Sequence, residues 1–387
     1  METLKINYIL YSMIKTGGQI APLNFATRLA KMGHEVTITT GQKQDWFPLD
    51  DVEVRSLSNF QYRKFLLTND LLVKKFGISK TLSHIRFLRS LGKIMPSSDV
   101  NIATFAPTAY LSYWNARNSV PLFHMQHFET LFDSDPGMRR FIRSSYYLPI
   151  EKIANSTWLQ NRIQELTGEK PRIIKHGIDH KVFYPRETKS KGDHVLDIVA
   201  LGKGGFKSAK DVVIAFKEAN SQLMGIPSMR LHMFGLRPPD GVQFDNNSLF
   251  FHQNISDEEL AALYSSSDIQ ITYSTAESFP LPPLEAMACG TAVITTPYGL
   301  EDYAIDGHNA LFVKPKDIDS LVKAIVKLAK DPELRERLAK SGIETSKQYD
   351  FDLITPEFER IIKQSMDSWT TREKKLEEIF SAYQVPI

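Results

Sequence analysis

The feature that most constrains this chain is an alternation of strand-like and helix-like stretches that runs, stops and starts again. KINYILY (5–11) reads as a strand, and SMIKTGG as the loop after it. QIAPLNFATRLAKMG (19–33) then places Leu23, Ala26, Leu29 and Ala30 on one helical face and stops at Gly33, before the next strand, HEVTITT. A strand, a helix and a second strand in this order form a βαβ unit, and repeated units dictate a parallel sheet with helices on both faces. DVNIATFA, PLFHMQH, KIANST and RIIKHGI read as further strands of the first half. The stretch YPRETKSKGDH (184–194) is polar, charged and broken by Pro and Gly, as a linker would be. After it the alternation restarts with LDIVALG, MRLHMFG, SLFFHQ, DIQITYS, TAVITT and ALFVKP. The expected architecture is two doubly wound α/β domains, 1–183 and 184–359, with a cleft between them. A C-terminal helix over about 360–387, rich in Glu and Lys, would complete the first domain. Ligands of such sheets bind beyond the carboxyl ends of the strands.

Composition removes other classes. The 387 residues are 42% hydrophobic and 24% charged, within the globular range, so disordered and fibrous readings fail. The single cysteine, Cys289, excludes a disulfide framework and a Cys-rich zinc site. No apolar run approaches the ~20 residues of a membrane span. The first residues lack a signal-peptide layout, and a cytoplasmic address is the expectation. The net charge of +2 conceals an asymmetry: residues 1–180 carry 23 Lys+Arg against 15 Asp+Glu, and the remainder 24 against 30. Opposite signs on the two halves point to two domains with different partners.

The most informative stretch is ESFPLPPLEAMACG (277–290). Glu277 follows the strand DIQITYS and so lies at a carboxyl end. Glu285, eight positions on, is expected in the first turn of a helix that starts after two prolines. A carboxylate there can accept both hydroxyls of a vicinal diol such as a ribose, or it can simply complement the helix dipole. The stretch resembles the paired-glutamate signature of the retaining glycosyltransferases of family 4, bacterial-type enzymes of GT-B fold. GTAVI (290–294), GLEDYAIDGHNALFVKPKD (299–317) and HGIDHKVFYP (176–185) are similar to further motifs of that family, in the same order. The resemblance is dense in the second half and patchy in the first.

The resemblance implies roles for particular residues. In GKGGFKSAKDVVIAF (202–216), Lys207 falls on the family's lysine, and Lys203 falls where an arginine is usual. Two cations on such a turn can neutralise a diphosphate that gains charge as it leaves, although a lysine lacks arginine's bidentate fork. Lys210 competes for the same role, and a merely solvated basic turn is the plain alternative. Gly17 and Gly18 match the family's Gly-Gly loop against the donor diphosphate, where bare backbone lets an anion approach the N–H groups. In PLFHMQHF, His127 falls on the family's sugar-contacting histidine, and His124 reads as a packed strand residue. The N–H groups of Phe279 and Leu281 would meet sugar hydroxyls, whereas Pro280, which replaces a glycine, has none to offer.

The implied activity is a retaining, metal-independent transfer of a sugar from a nucleotide-diphosphate donor to an acceptor hydroxyl, in polysaccharide or glycoconjugate synthesis. Lys203, Lys207, Glu277 and His127 would form the catalytic set, with Gly17, Gly18, Phe279, Leu281 and Glu285 binding the donor. Glu277 would contact the sugar or orient the lysines. The implied partners are the nucleotide sugar and a glycan or lipid-linked acceptor, with no nucleic acid and no separate cofactor. The replaced arginine and Pro280 keep open a catalytically silent nucleotide-sugar-binding subunit, and a nucleotide-sugar epimerase of the same fold is a further alternative. A basic run interleaved with Leu, Ile and Phe (62–93), together with RRFIR (139–143), suggests contact between the first domain and an anionic membrane surface or acceptor.

Overall fold

The computed structural model describes residues 2–66, 80–187, 195–223 and 229–382, with the side chains of 206 and 371–382 left aside. The chain divides into two units, Met1–Lys175 with Phe351–Ile387, and His176–Asp350.

The first unit holds seven parallel strands in the order β3-β2-β1-β4-β5-β6-β7. These are β1 (Lys5–Leu10), β2 (Glu35–Thr40), β3 (Val52–Ser56), β4 (Val100–Ala103), β5 (Val120–Met125), β6 (Glu151–Ala154) and β7 (Arg172–Ile173). The central strands are buried almost end to end, as a sheet covered on both faces requires. One face packs helix α1 (Gly17–Lys31) and the C-terminal helix, through Tyr8, Phe25, Phe351, Phe358 and Ile362. The other packs α2 (Lys80–Gly92), α3 (Ala106–Trp114) and α4 (Pro136–Ser145), through Ile9, Phe87, Ala103, Phe123 and Ile142. Helix α5 (Thr157–Thr167) follows β6 and ends at the left-handed Gly168.

Helix α1 stops as its sequence dictates. Gly33 takes φ +97°, its N–H bonds Ala30 O, and the His34 N–H bonds Leu29 O, which closes the last turn. Strand β3 was not anticipated. It lies at the sheet edge, half exposed and alternating with Glu53 and Arg55, so its composition is that of a solvated segment.

The second unit holds six parallel strands in the order β10-β9-β8-β11-β12-β13. They are β8 (Leu196–Leu201), β9 (Met229–Gly235), β10 (Leu249–Gln253), β11 (Ile269–Thr272), β12 (Ala292–Thr295) and β13 (Leu311–Phe312). Helices α6 (Ala209–Gln222), α7 (Asp257–Ser266), α8 (Leu281–Ala288), α9 (Ile318–Lys330) and α10 (Pro332–Ser346) flank the sheet. Both units are therefore doubly wound.

The division between units falls earlier than the polar stretch 184–194. Residues 176–183 pack on the second unit: the Ile178 N–H bonds Tyr349 O at 2.7 Å, His180 bonds Ser346 O, and Phe183 is buried near Tyr264. The expected linker segment 188–194 lies outside the described residues, as do 67–79 of the basic run and the last residues of the C-terminal helix. That helix begins at Phe351 rather than near 360 (α11, Phe351–Ala382), and its apolar side joins the first unit's core.

Candidate functional site

The carboxyl ends of β8 and β11 carry the densest group of charged side chains among the sequence-predicted site residues. After β8 the chain turns tightly at Gly202, where a Cβ would come within 2.8 Å of the Phe251 ring, so no larger residue fits without displacement. A short 3-10 turn, Gly205–Lys207, and Ser208 at φ +52° then lead into α6. Lys203 lies on this loop, and Lys207 ends the 3-10 turn. Lys207 Nζ donates to Glu277 Oε1, and both side chains are largely buried. Lys203 is more exposed, yet its pKa is lowered by partial burial and by the Lys207 charge, with Glu277 opposing. The structure thus brings Lys203, Lys207 and Glu277 together. Lys210 is exposed, and its amine reaches toward Gly241, where a Cβ would meet it at 3.5 Å.

Glu277 stands on the loop between β11 and α8, and that loop is braced from behind. Gly299 takes φ +70°, and a Cβ there would come within 2.7 Å of Ser278 O and 2.8 Å of the Glu277 carbonyl carbon. Only glycine permits that approach. Tyr303 OH donates to Pro280 O at 2.6 Å. The Phe279 ring packs among His176, Tyr303 and Tyr349 at centroid distances of 5.2–5.9 Å, so its side chain is a core anchor. Burial pushes the His176 pKa down to about 3, and the imidazole is neutral at ordinary pH. Ser274 lines a small cavity of about 10 Å³ with Lys207 and Tyr273, and its buried Oγ has no hydrogen-bond partner among the described residues.

The start of α8 corrects the expectation for Glu285. The helix opens at Leu281, with Pro282 and Pro283 inside its first turn, and no acidic residue lies in that turn. Proline fits these early positions because their N–H groups have no partner within the helix. Glu285 is therefore the fifth residue, one turn in. It is buried and accepts from Tyr264 OH at 3.4 Å. Leu281 is the first residue of the helix and is itself buried.

In the first unit, Gly17 and Gly18 open α1 after the Thr16 cap, with no acidic residue in the first turn. A Cβ at Gly17 would meet nothing within 4 Å, and one at Gly18 would meet only Gln126 Cβ at 3.6 Å. The bare backbone is therefore not demanded by packing. His127 follows β5, its ring edge-on to Phe132 at 4.3 Å and near Trp158. His124 is fully buried in β5 against Phe25 and Phe358.

Sequence reading passed over several groups. Glu129, two residues beyond His127, is buried, and Ala106 at the start of α3 donates its N–H to Oε2 at 2.8 Å. Burial raises the Glu129 pKa to about 8, with the Ala106 bond opposing. The expectation of a metal-free reaction rests in part on the absence of an Asp-x-Asp motif, yet three such pairs occur, Asp133/Asp135, Asp317/Asp319 and Asp350/Asp352. Each pair has a member in structural use: Asp135 and Asp317 cap helices, and Asp352 pairs with Arg28 at 2.6 Å. No group of three or more potential ligands (His, Cys, Asp or Glu) poised to hold a metal occurs among the described residues.

Comparison with known proteins places part of the second unit in a family and the whole chain in a fold. Residues 244–345 match the family described as "Glycosyl transferases group 1", a span that includes Glu277, Phe279, Leu281 and Glu285 but not the two lysines. MMP alpha-(1->4)-mannosyltransferase of Mycolicibacterium hassiacum is 26% identical over 199 residues, 46% of this chain and 44% of that protein. The chain thus spans less than half the length of this relative. Among solved structures, sucrose-phosphate synthase from Thermosynechococcus elongatus superposes with TM-score 0.73 at 18% identity, covering 94% of this chain and 99% of the other. HepE of Anabaena, in complex with UDP-glucose, superposes with TM-score 0.69 at 13% identity, covering 93% and 100%. The fold of this chain is GT-B, two Rossmann-like domains.

Proposed function

We propose that this protein is a retaining glycosyltransferase that moves a sugar from a nucleoside-diphosphate donor to an acceptor hydroxyl. The observation that carries the reading is the Lys203–Lys207–Glu277 group at the carboxyl ends of β8 and β11. Matching of the glutamate-bearing span to group 1 glycosyltransferases supports it, as does the fold shared with a structure that holds UDP-glucose.

In this reading the anomeric carbon–oxygen bond breaks, and its electron pair stays on the β-phosphate. Lys203 and Lys207 meet that growing charge, a placement that lowers the barrier because the interaction strengthens as the bond breaks. Glu277 holds the Lys207 ammonium in position through the buried ion pair. The acceptor oxygen bonds the same face of the anomeric carbon, and its proton passes to the departing phosphate oxygen. The chemistry then needs no protein base and no metal. Glu285 takes the ribose diol, and the Phe279 and Leu281 N–H groups take sugar hydroxyls. The acceptor is a glycan or a lipid-linked glycan on the cytoplasmic side of the membrane, in cell-surface polysaccharide or glycoconjugate synthesis.

The test is a donor screen in which released nucleotide is measured over a panel of nucleotide sugars, with and without EDTA. One donor should be turned over, and chelation should leave the rate unchanged. Binding without turnover across the whole panel, or loss of rate with EDTA, contradicts the proposal.

A further inference from the structure

We infer that the outer faces of α2 and α4, with the exposed end of α3 at Tyr113 and Trp114, are a docking surface for an anionic lipid bilayer. This inference does not depend on the transfer reaction proposed above. The three helices pack against one another. Leu88, Leu91 and Leu111 join α2 to α3, and the stacked Tyr110–Phe141 rings at 4.4 Å join α3 to α4. Helix α2 buries Ser83, Phe87, Leu88 and Leu91, which leaves Leu82, Arg86, Arg89 and, just beyond it, Lys93 as an outward stripe at spacings of three and four. Helix α4 buries Met138, Ile142 and Ser145 and turns Arg139, Arg140, Arg143 and the following Tyr147 outward.

Residues 80–93 and 136–147 together hold seven Lys and Arg and no Asp or Glu. Lys80 pairs with Asp133, and Arg139 bonds the Asp133 carbonyl. The other five, Arg86, Arg89, Lys93, Arg140 and Arg143, form no ion pair among the described residues. Five such cations on a folded surface draw an external anion.

Apolar side chains exposed on the same helices and at their ends select a bilayer over a soluble polyanion. Leu82 on α2, Trp114 at the end of α3 and Tyr147 just after α4 are 43%, 47% and 52% exposed. A polyanion makes no use of an exposed leucine and tryptophan, whereas the headgroup boundary accepts them beside arginine.

The experiment is vesicle co-sedimentation of the full chain. Phosphatidylcholine vesicles are compared with vesicles containing about 30% phosphatidylglycerol, across a salt series. The protein should sediment with the anionic vesicles only, and less as salt rises. Each cation near the surface contributes about fivefold to the partition coefficient. The quadruple variant R86S/R89S/R140S/R143S should therefore lose about several hundredfold. Four Arg→Lys changes at the same positions should keep binding, and this second variant separates charge from fold. Trp114→Ser should weaken vesicle binding yet leave binding to dextran sulfate unchanged. Equal sedimentation with neutral vesicles, an unaffected quadruple variant, or stronger binding to dextran sulfate than to vesicles would overturn the assignment. Nucleotide affinity, read by calorimetry without lipid, should be the same in all these variants.

Discussion

Each unit has a buried glutamate near the carboxyl ends of its strands, and the two are handled in opposite ways. Glu277 in the second unit faces the Lys207 ammonium, and the pair is shielded from water. Glu129 in the first unit accepts an amide N–H at the start of α3, and burial raises its pKa to about 8. One carboxyl is an anion that holds a cation in place, and the other is a largely neutral strut at ordinary pH. The loops after the first strand of each sheet differ in the same sense. The second unit's loop sets Lys203 and Lys207 beside Glu277, whereas in the first unit the open positions are Gly17 and Gly18 at the start of α1. Burial alone therefore does not mark a catalytic acid. What a buried carboxyl does follows from the group opposite it.

The comparison breaks most visibly at Lys207. Lys207→Met leaves Glu277 buried without its cation, so it should cost about 3–5 kcal/mol of stability. It should also slow turnover about 10²–10³-fold, the usual effect of removing one charge-stabilising donor. A melting curve and a single-turnover rate on the same sample separate the two effects. The double variant Lys207→Met/Glu277→Gln should regain much of the stability and none of the rate. Recovery of both would make the pair structural.

Gly299→Ala comes next, because its Cβ collides with the backbone that carries Glu277. Turnover should fall at least about tenfold, with a melting shift of several degrees. Unchanged kinetics would show that the loop position does not matter to the reaction.

Much of this difference was legible in the sequence, though not all of it. Glu277 could be read from the plain strand run before it, since such ends are where ligands bind, whereas Lys203 and Lys207 stand out only through the resemblance to the family 4 glycosyltransferases. Gly33 marked the end of α1. The opening of α8 was misplaced because prolines read equally well before a helix or inside its first turn. Glu129 and Ser274 gave no signal. Their significance lies in burial and in partners distant in sequence, which a local pattern does not encode. Gly299 opens a stretch similar to a family motif, but its reason was hidden from the sequence, because the Ser278 carbonyl beside it comes from 21 positions upstream.

Two smaller effects sharpen the contrast. Gly17→Ala should leave stability unchanged or raise it by up to about 1 kcal/mol, since the space is open and alanine favours a helix. Diphosphate affinity should nevertheless fall several-fold if the bare backbone meets the anion, and an unchanged Kd by calorimetry would remove that role. For Glu129, the folded pKa is raised, so its stabilising contribution is full below the ordinary carboxyl pKa of 4.5 and is lost as pH rises through about 8. Melting temperature should decline on crossing that range, and Glu129→Gln should flatten the decline. An identical profile in the variant would assign the decline to another group.

The central claim is that lysine cations of the second unit hold the donor diphosphate, and Lys203 offers the cleanest access to it because its side chain is the more exposed of the two. The most direct measurement is the ratio of affinities for nucleoside diphosphate and nucleoside monophosphate, by calorimetry, in the wild type and in Lys203→Ala. The account predicts that the wild type prefers the diphosphate and that the variant loses most of this preference, about tenfold, at unchanged melting temperature. An undiminished preference in Lys203→Ala would contradict it.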